Sequence, residues 1–146
     1  MATDCVFCQI IAGILPASRI YEDAATPAFM DLRQSNPGHI LVIPKTHIPT
    51  LDLVPAAIGA ALMNTVVLLT GALRHGLAPE WINIWQSNGV AAGQEVFHVH
   101  VHIFPCFTGD GHMQIYPTNP TETPRDDLDR LAARLRAALP AALPTE

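Results

Sequence analysis

Charged residues are few in this sequence, and basic residues are fewer than acidic ones. Only 14% of the 146 residues are charged, and 8 Lys and Arg stand against 13 Asp and Glu, for a net charge of -5. This balance argues against a broad basic surface for a long nucleic acid. The charge balance does not exclude a pocket for one small anion, because backbone amides and a few histidines can bind an anion locally.

Cysteine is also scarce, with three residues at Cys5, Cys8 and Cys106. The opening MATDCVFCQI lacks the basic segment and long apolar run of a secretory signal, so we expect a cytoplasmic protein. An odd number of cysteines in that setting disfavours a disulfide framework and favours free thiols. There are no internal repeats, and 49% of the residues are hydrophobic, which predicts one domain spanning residues 1–146.

One uncharged stretch, Leu53 to Leu73, is nearly long enough to cross a bilayer. Polar and helix-weakening residues dilute it, and its apolar residues recur at spacings of three and four, as on the buried face of a soluble helix. Those residues are Ile58, Leu62, Val66, Leu69 and Leu73. We therefore predict a core helix from about Pro55 to His75, capped by Gly76, and no membrane span.

Period-two alternation and turn residues predict five short strands. They are SRIYED, TPAFMDL, HILVIPK, WINIWQS and VFHVHVHIF, the third introduced by an Asn36 to Gly38 turn. The stretch PCFTGDGHMQIYPTNPTETP reads as irregular, and a last helix follows from Pro124 with leucines on one face. The fold class is α+β, an antiparallel sheet of about five strands with two main helices.

The most informative stretch is QEVFHVHVHIFP, which places His98, His100 and His102 at every second position. On one strand, the two outer histidines would lie about 13 Å apart. A Zn–N bond is only about 2.1 Å, so two neighbouring histidines could share a metal but three could not. The ladder therefore divides its tasks or contacts a longer substrate.

The chemistry of the ladder favours phosphate. Histidines are tolerated on the polar face of an edge strand, which is the plainer interpretation. Three imidazoles on one face, however, can hold oxyanions, and a neutral imidazole can attack phosphorus at pH 7.

A second motif, CVFC, supplies two thiols at the spacing of metal ligands. Alone it also fits a redox pair or two buried cysteines. His39 and His47 stand near the two ends of the third predicted strand, and either of them, with one ladder histidine, would complete a four-ligand site.

These motifs resemble the histidine triad (HIT) family of nucleotide hydrolases and transferases, in its bacterial HIT and Hint-like branch. HVHVHIF matches the triad, and CVFCQIIAGILPASRIYED, AFMDL, NPGHILVIPKTHI and NGVAAGQEVFHVHVHIFP follow the family blocks in order. The resemblance covers about residues 5–111, which leaves 112–146 as a C-terminal segment with a terminal helix.

The resemblance implies a HIT-like fold that pairs into a homodimer and binds a small AMP-like nucleotide. It implies that His100 attacks the α-phosphorus to form a nucleotidyl-histidine, which water then hydrolyses. It assigns His102 and His39 to the phosphate oxygens and to departure of the leaving group. We expect a backbone carbonyl on the neighbouring strand near His39 to hold the ring N–H of His100.

The resemblance also assigns cofactor and nucleotide contacts. Its bacterial members bind a structural zinc through the residues that match Cys5, Cys8, His47 and His98. For the nucleotide, Asp31 corresponds to the carboxylate that takes the ribose hydroxyls, although an Asp at a strand end can also be simply solvated. The base would pack on Phe7, Ile11, Phe29 and Leu32, each of which could equally be core, and the phosphate would lie near Asn88, Gly93, Gln94 and Glu95.

Three positions depart from the family pattern. Glu95 stands where the best-studied phosphoramidase and dinucleotide branches carry Ser or Thr. The preferred leaving group of the substrate is therefore not determined by the resemblance. Ser87 and Cys106 stand where some relatives carry Asn and Arg. Two alternatives to the hydrolase remain, a nucleotide- or zinc-binding regulatory module with negligible turnover and catalysis by a zinc-bound water.

Overall fold

The computed structural model describes residues 4–112 and 122–140. These fall into two compact units that divide between Asp110 and Gly111, and each unit is described by itself. Part of the stretch predicted to be irregular, residues 113–121, lies outside the described residues. The prediction of a single domain over 1–146 stays a prediction.

The first unit is built on one antiparallel sheet. Its strands are β1 (Arg19–Glu22), β2 (Pro27–Met30), β3 (Ile40–Val42), β4 (Trp81–Trp85) and β5 (Val101–Cys106). The order across the sheet is β1-β2-β3-β5-β4, so β5 lies inside it and β1 and β4 are the edges among the described strands. The helices of this unit are α1 (Val6–Ile11) and α2 (Ala56–Leu77), and α3 (Arg125–Ala137) lies in the second unit. The predicted α+β fold, with five strands and two main helices, is confirmed.

The long helix α2 covers one face of the sheet. Its apolar residues at spacings of three and four are buried, and they pack against Val42, Val101 and Ile103 of β3 and β5. Those helix residues are Leu62, Val66, Leu69 and Leu73. By length and apolar composition α2, with a mean hydropathy of 1.8, is also a helix that could cross a membrane. Its packing on the sheet agrees with the predicted core helix, and the absence of a membrane span stays a prediction.

The turn before β3 requires glycine. Gly38 has a φ of 109°, and a Cβ there would lie 2.7 Å from Leu77 and 2.9 Å from Leu73. The end of α2 is different from the prediction, because the helix passes the expected cap at Gly76 and the left-handed residue is Ala78. The extra residues bring Leu77 against Gly38, and the turn places His39 just before β3.

The ladder strand begins later than predicted. We expected a strand from Val96, but β5 begins at Val101. The backbone bends first, with the His98 N–H donating to the Val96 carbonyl at 2.9 Å and the Val99 N–H to the Ile48 carbonyl at 2.6 Å. Only the last of the three histidines therefore lies in the strand, and the first two lie in the segment that leads into it.

Candidate active site

The described residues hold two groups of side chains that could ligate a metal. The first is Cys5, Cys8, His47 and His98, and the second is Asp31, His39 and His102. In each group the candidate ligand atoms lie within 4.8 Å of one another. The triad is divided, as the sequence suggested, with one histidine in a thiol cluster and one in an acidic cluster.

The thiol cluster forms where α1 meets the segment before β5. The Sγ atoms of Cys5 and Cys8 lie 3.5 Å and 3.6 Å from Nδ1 of His98. Nδ1 of His47 lies 3.3 Å from Sγ of Cys8. Nε2 of His98 donates to the Pro44 carbonyl at 2.8 Å, so the lone pair of that ring stays on Nδ1, which faces the thiols.

The donor set fits a tetrahedral metal. Zn–S and Zn–N bonds of about 2.3 Å and 2.1 Å at tetrahedral angles put sulfur and nitrogen about 3.6 Å apart. The sulfur–nitrogen distances here are 3.3 Å to 3.6 Å. A histidine ligand whose other ring nitrogen donates to a carbonyl is also typical of metal sites. All four positions of such a site are supplied by the chain.

His100 is held as a neutral imidazole. Its Nδ1 lies 2.7 Å from the carbonyl of His98, so Nδ1 carries the proton and Nε2 the lone pair. Burial lowers the pKa of His100 below its ordinary value, which favours that neutral form. The expectation of a carbonyl near His39 was wrong, because the bend before β5 turns the carbonyl of His98 onto the ring two residues later.

His39 and His102 form a hydrogen-bonded pair. Nε2 of His39 lies 2.9 Å from Nδ1 of His102. On its other side, Nδ1 of His39 faces the Arg33 carbonyl at 3.3 Å and Oδ2 of Asp31 at 3.7 Å. Burial, with the neighbouring His100 and His39, lowers the pKa of His102 to about 3. One end of the pair, Nδ1 of His39, faces two acceptors. The other end, His102, lies next to His100.

Trp85 is a site residue that the sequence analysis missed. Its indole stacks on the His102 ring, with ring centroids 4.3 Å apart and planes 6° from parallel. The centroid of the His39 ring lies 5.3 Å from that of the indole. The register of β4 against β5 pairs Trp85 directly with His102. That register is not visible in either strand alone, so the sequence offered no signal beyond placing Trp85 in a strand.

Gln34 was also missed, and it fastens the loop between β2 and β3. Its Oε1 accepts from the Gly38 and His39 N–H groups at 2.8 Å and 3.1 Å. Its Nε2 donates to the Asp31 and His39 carbonyls at 2.7 Å and 2.8 Å. The Gln34 side chain thus fixes the backbone of Asp31 relative to that of His39.

A cavity of about 470 Å³ lies beside the triad, and we call it the α1 cavity. Its walls are mainly apolar, and polar residues stand at one end. The apolar walls include Val6, Phe7, Ile10, Phe29, Leu41 and Val96, and the polar end is Asp31, Arg33 and Gln34. The Phe7 ring lies 5.3 Å from the His100 ring, so the cavity is next to the candidate nucleophile. Its volume and apolar walls are typical of a pocket for a small organic molecule.

The predicted base-binding residues are mostly in this cavity. Phe7, Phe29 and Asp31 line it, and Leu32 lines it at the rim, where its side chain is 99% exposed. Ile11 does not line it but packs against a core cluster, and Ile10 takes the place predicted for it. The helix α1 turns the earlier of the two isoleucines toward the cavity.

Two residues predicted to approach the phosphate, Gln94 and Asn88, make hydrogen bonds that hold a loop, and their contact with phosphate stays a prediction. Nε2 of Gln94 donates to the Pro49 and Val96 carbonyls at 2.7 Å and 3.1 Å, and its Oε1 accepts from the Gly89 N–H at 2.7 Å. Oδ1 of Asn88 accepts from the Leu51 N–H at 2.8 Å. The Gln94 amide is bonded to the backbone, whereas the Nδ2 of Asn88 donates to Oε1 of Gln86 at 2.6 Å. Gly93 lies in the same loop with a left-handed φ of 85°.

The three departures from the family pattern have different settings. Glu95 is paired with Arg33, and this hydrogen bonding lowers the pKa of Glu95 below its ordinary value. Cys106 lies at the end of β5, where its Sγ is 3.6 Å from the Phe104 carbonyl. Ser87 lies in the loop after β4, where its carbonyl accepts from Gln86 at 2.8 Å.

Known proteins of similar sequence share this domain. The HIT domain family matches residues 13–109. "Protein hit" of Bacillus subtilis is 36% identical over 139 residues, covering 94% of this chain and 96% of that protein. "Adenosine 5'-monophosphoramidase hnt1" of Schizosaccharomyces pombe is 34% identical over 122 residues, 81% of this chain and 89% of that protein. "Adenylylsulfatase HINT3" of Arabidopsis thaliana is 40% identical over 105 residues, 72% of this chain and 53% of that protein.

Solved structures of HIT family proteins have a similar fold. A crystal structure of a HIT family member from Bacillus subtilis has a TM-score of 0.88 and 35% identity, covering 95% of this chain and 99% of that one. A zinc-bound histidine triad family protein from Mycobacterium smegmatis has a TM-score of 0.72 and 36% identity, covering 95% of this chain and 100% of that one.

The low pKa of His102 predicts a loss of stability in acid. An unfolded histidine takes up a proton near pH 6.5, whereas folded His102 resists it down to about 3. The unfolded state therefore binds more protons between these values, and the free energy of unfolding falls as the pH drops below about 6.5. Urea unfolding at pH 5 and pH 7 should show a smaller acid loss in His102→Gln than in the wild type. His75→Gln, at an exposed position of α2, is the control, and an equal loss in all three proteins would contradict the partly buried, neutral His102.

Proposed function

The chain belongs to the HIT family, and from that premise we propose that it hydrolyses a nucleotide conjugate at the α-phosphate through a nucleotidyl-histidine at His100. Nucleotide hydrolase activity in general follows from the family and from relatives named as an adenylylsulfatase and an adenosine 5'-monophosphoramidase. Those names favour adenosine as the nucleoside.

The observation that carries the proposal is the hydrogen bond from Nδ1 of His100 to the His98 carbonyl. It fixes the neutral tautomer in which Nε2 is the nucleophile. Nε2 attacks the α-phosphorus, the bond to the leaving group breaks, and the leaving group keeps the electron pair. Water then attacks the phosphorus, AMP leaves, and His100 returns to its starting form.

The His39–His102 pair would handle the protons of both steps. Because the pKa of His102 is low, a proton taken up by this ring would pass readily to a phosphate oxygen or to the leaving group. When it has given that proton up, it can accept one from the attacking water. Stacking on Trp85 would hold the His102 ring in the orientation that both steps need.

The α1 cavity would take the nucleoside. The edge-to-face aromatic pair of Phe7 and Phe29 offers an apolar slot for a base. Asp31, at the polar end of the cavity and 3.7 Å from His39, would accept hydrogen bonds from the ribose hydroxyls. A nucleoside bound in this way would have its 5' end toward the triad. A backbone contact from Gly93 to the phosphate stays a prediction.

Replacing the nucleophile tests the proposal. We expect His100→Ala to lose at least about a thousandfold in the rate of AMP release, because no other group attacks phosphorus in this scheme. The assay is chromatographic detection of AMP from adenosine phosphoramidate, adenosine phosphosulfate and diadenosine polyphosphate. His75→Ala should keep the wild-type rate. Full turnover by a correctly folded His100→Ala protein would refute the nucleotidyl-histidine.

One observation favours a second candidate, a nucleotide-binding module with negligible turnover. The Glu95 carboxylate is paired with Arg33, which lines the α1 cavity, and its negative charge would oppose an anionic substrate there. AMP binding by calorimetry, without AMP release from any substrate above, would favour the module.

We further propose that Cys5, Cys8, His47 and His98 hold a structural zinc. The support is the fit of the donor set and the zinc-bound relative from Mycobacterium smegmatis. When bound, zinc would stabilise the fold by joining α1, the segment after β3 and the segment before β5. A site with four protein ligands leaves no position for a reactive water, which separates this proposal from catalysis by zinc-bound water.

Removing the metal distinguishes these two roles. We expect a chelator to lower the thermal midpoint by more than about 10 °C and to reduce AMP release in parallel. Cys8→Ser should behave like the chelated protein, and Cys106→Ser like the wild type, with bound zinc measured by elemental analysis. Loss of AMP release with an unchanged thermal midpoint would instead indicate a catalytic metal.

We also propose a homodimer. β4 is an edge strand with Trp81 and Ile84 exposed by 72% and 47%, which is unusual for a strand that stays unpaired. Met63, Val67 and Leu68 of α2 are at least half exposed on the side away from the sheet. Light scattering should give twice the chain mass of 15.8 kDa, and a monomer at micromolar concentration would contradict the dimer.

A further inference from the structure

An ion pair joins the two chain segments beside the α1 cavity. Nη1 and Nη2 of Arg33 contact the two carboxylate oxygens of Glu95 at 3.2 Å and 2.6 Å. Arg33 lies in the loop between β2 and β3, and Glu95 lies in the segment that leads to the triad. A guanidinium binds sulfate or phosphate in the same bidentate geometry.

The backbone of Arg33 is fixed while its side chain is exposed. Its N–H donates to Oδ1 of Asp31 at 2.7 Å, and its carbonyl lies 3.3 Å from Nδ1 of His39. The side chains of Arg33 and Glu95 are 75% and 65% exposed. Exposed ion pairs contribute little to stability, so this guanidinium can exchange one anionic partner for another at low cost.

Arg33 is also the one cation of the cavity. Among the described residues that line it, no other is Lys or Arg. A conjugate with an anionic leaving group carries negative charge on both sides of the bond that breaks. The Arg33 carbonyl faces His39, one of the two histidines assigned to departure of the leaving group, so the exposed guanidinium is the cation available there once Glu95 releases it.

Leaving groups differ in what they need from the site. In adenosine phosphosulfate the P–O bond to sulfate breaks, the oxygen keeps the electron pair, and sulfate departs as an anion without taking a proton. In adenosine phosphoramidate the P–N bond breaks, and the nitrogen must gain a proton to leave as ammonia. A guanidinium stabilises the first departure and offers nothing to the second.

We propose that Arg33 and Glu95 together select the leaving group. A tetrahedral oxyanion, sulfate or phosphate, takes the place of Glu95 on the guanidinium, so the chain prefers conjugates with anionic leaving groups over those with amines. This inference rests on the proposed hydrolase and adds a specificity-determining pair to it.

The test is the ratio of kcat/KM for each anionic substrate to that for adenosine phosphoramidate. Adenosine phosphosulfate and diadenosine polyphosphate separate sulfate from phosphate leaving groups. Arg33→Gln should lower the ratios about tenfold or more, because a charged contact to the leaving oxygen is lost. Glu95→Gln should raise them severalfold, since the guanidinium is then no longer neutralised. Arg130→Gln, which breaks another exposed pair with Asp127 on α3, should leave them unchanged.

The outcomes separate this inference from the proposed function. If Arg33→Gln and Glu95→Gln change all substrates by the same factor, or by none, the pair does not select the leaving group although the hydrolase stands. If only the sulfate or only the phosphate ratio responds, that oxyanion is the one recognised. If the wild type releases AMP from no substrate, the proposed function fails and the inference fails with it.

Discussion

The buried imidazole of His98 is the constraint on which the rest of the site depends. Its Nε2 donates to the Pro44 carbonyl, its Nδ1 faces the two thiols, and its own carbonyl holds Nδ1 of His100. The candidate metal cluster and the candidate nucleophile are thus connected through one residue. A movement of His98 would displace the carbonyl that orients His100, which would be a physical reason for the structural metal site proposed above.

Three histidines of the same type acquire different properties because their surroundings differ. His98 is enclosed among thiols, His100 is fixed by a carbonyl, and His102 is bonded to His39 and stacked on Trp85. The bend before β5 makes this division possible. A regular strand through all three positions would have aimed the rings at one face and offered them similar neighbours.

Much of the fold could be predicted from sequence because it rests on short-range patterns. Alternation gave the strands, and the spacing of three and four gave the buried face of α2. Ile10 in place of Ile11, the late start of β5 and the occupied amide of Gln94 could not be predicted, since each depends on contacts between distant segments. Trp85 was missed for the same reason, and the cytoplasmic location and the roles of the site residues stay predictions.

Intact-protein mass spectrometry tests most directly whether a covalent bond forms between AMP and His100. The protein is mixed with adenosine phosphoramidate or a diadenosine polyphosphate, quenched without acid to preserve the phosphorus–nitrogen bond, and weighed under denaturing conditions. A transient mass increase of one AMP on the wild type, absent from His100→Ala, is the predicted result. AMP release without any such increase, or the same increase on His100→Ala, would contradict the account.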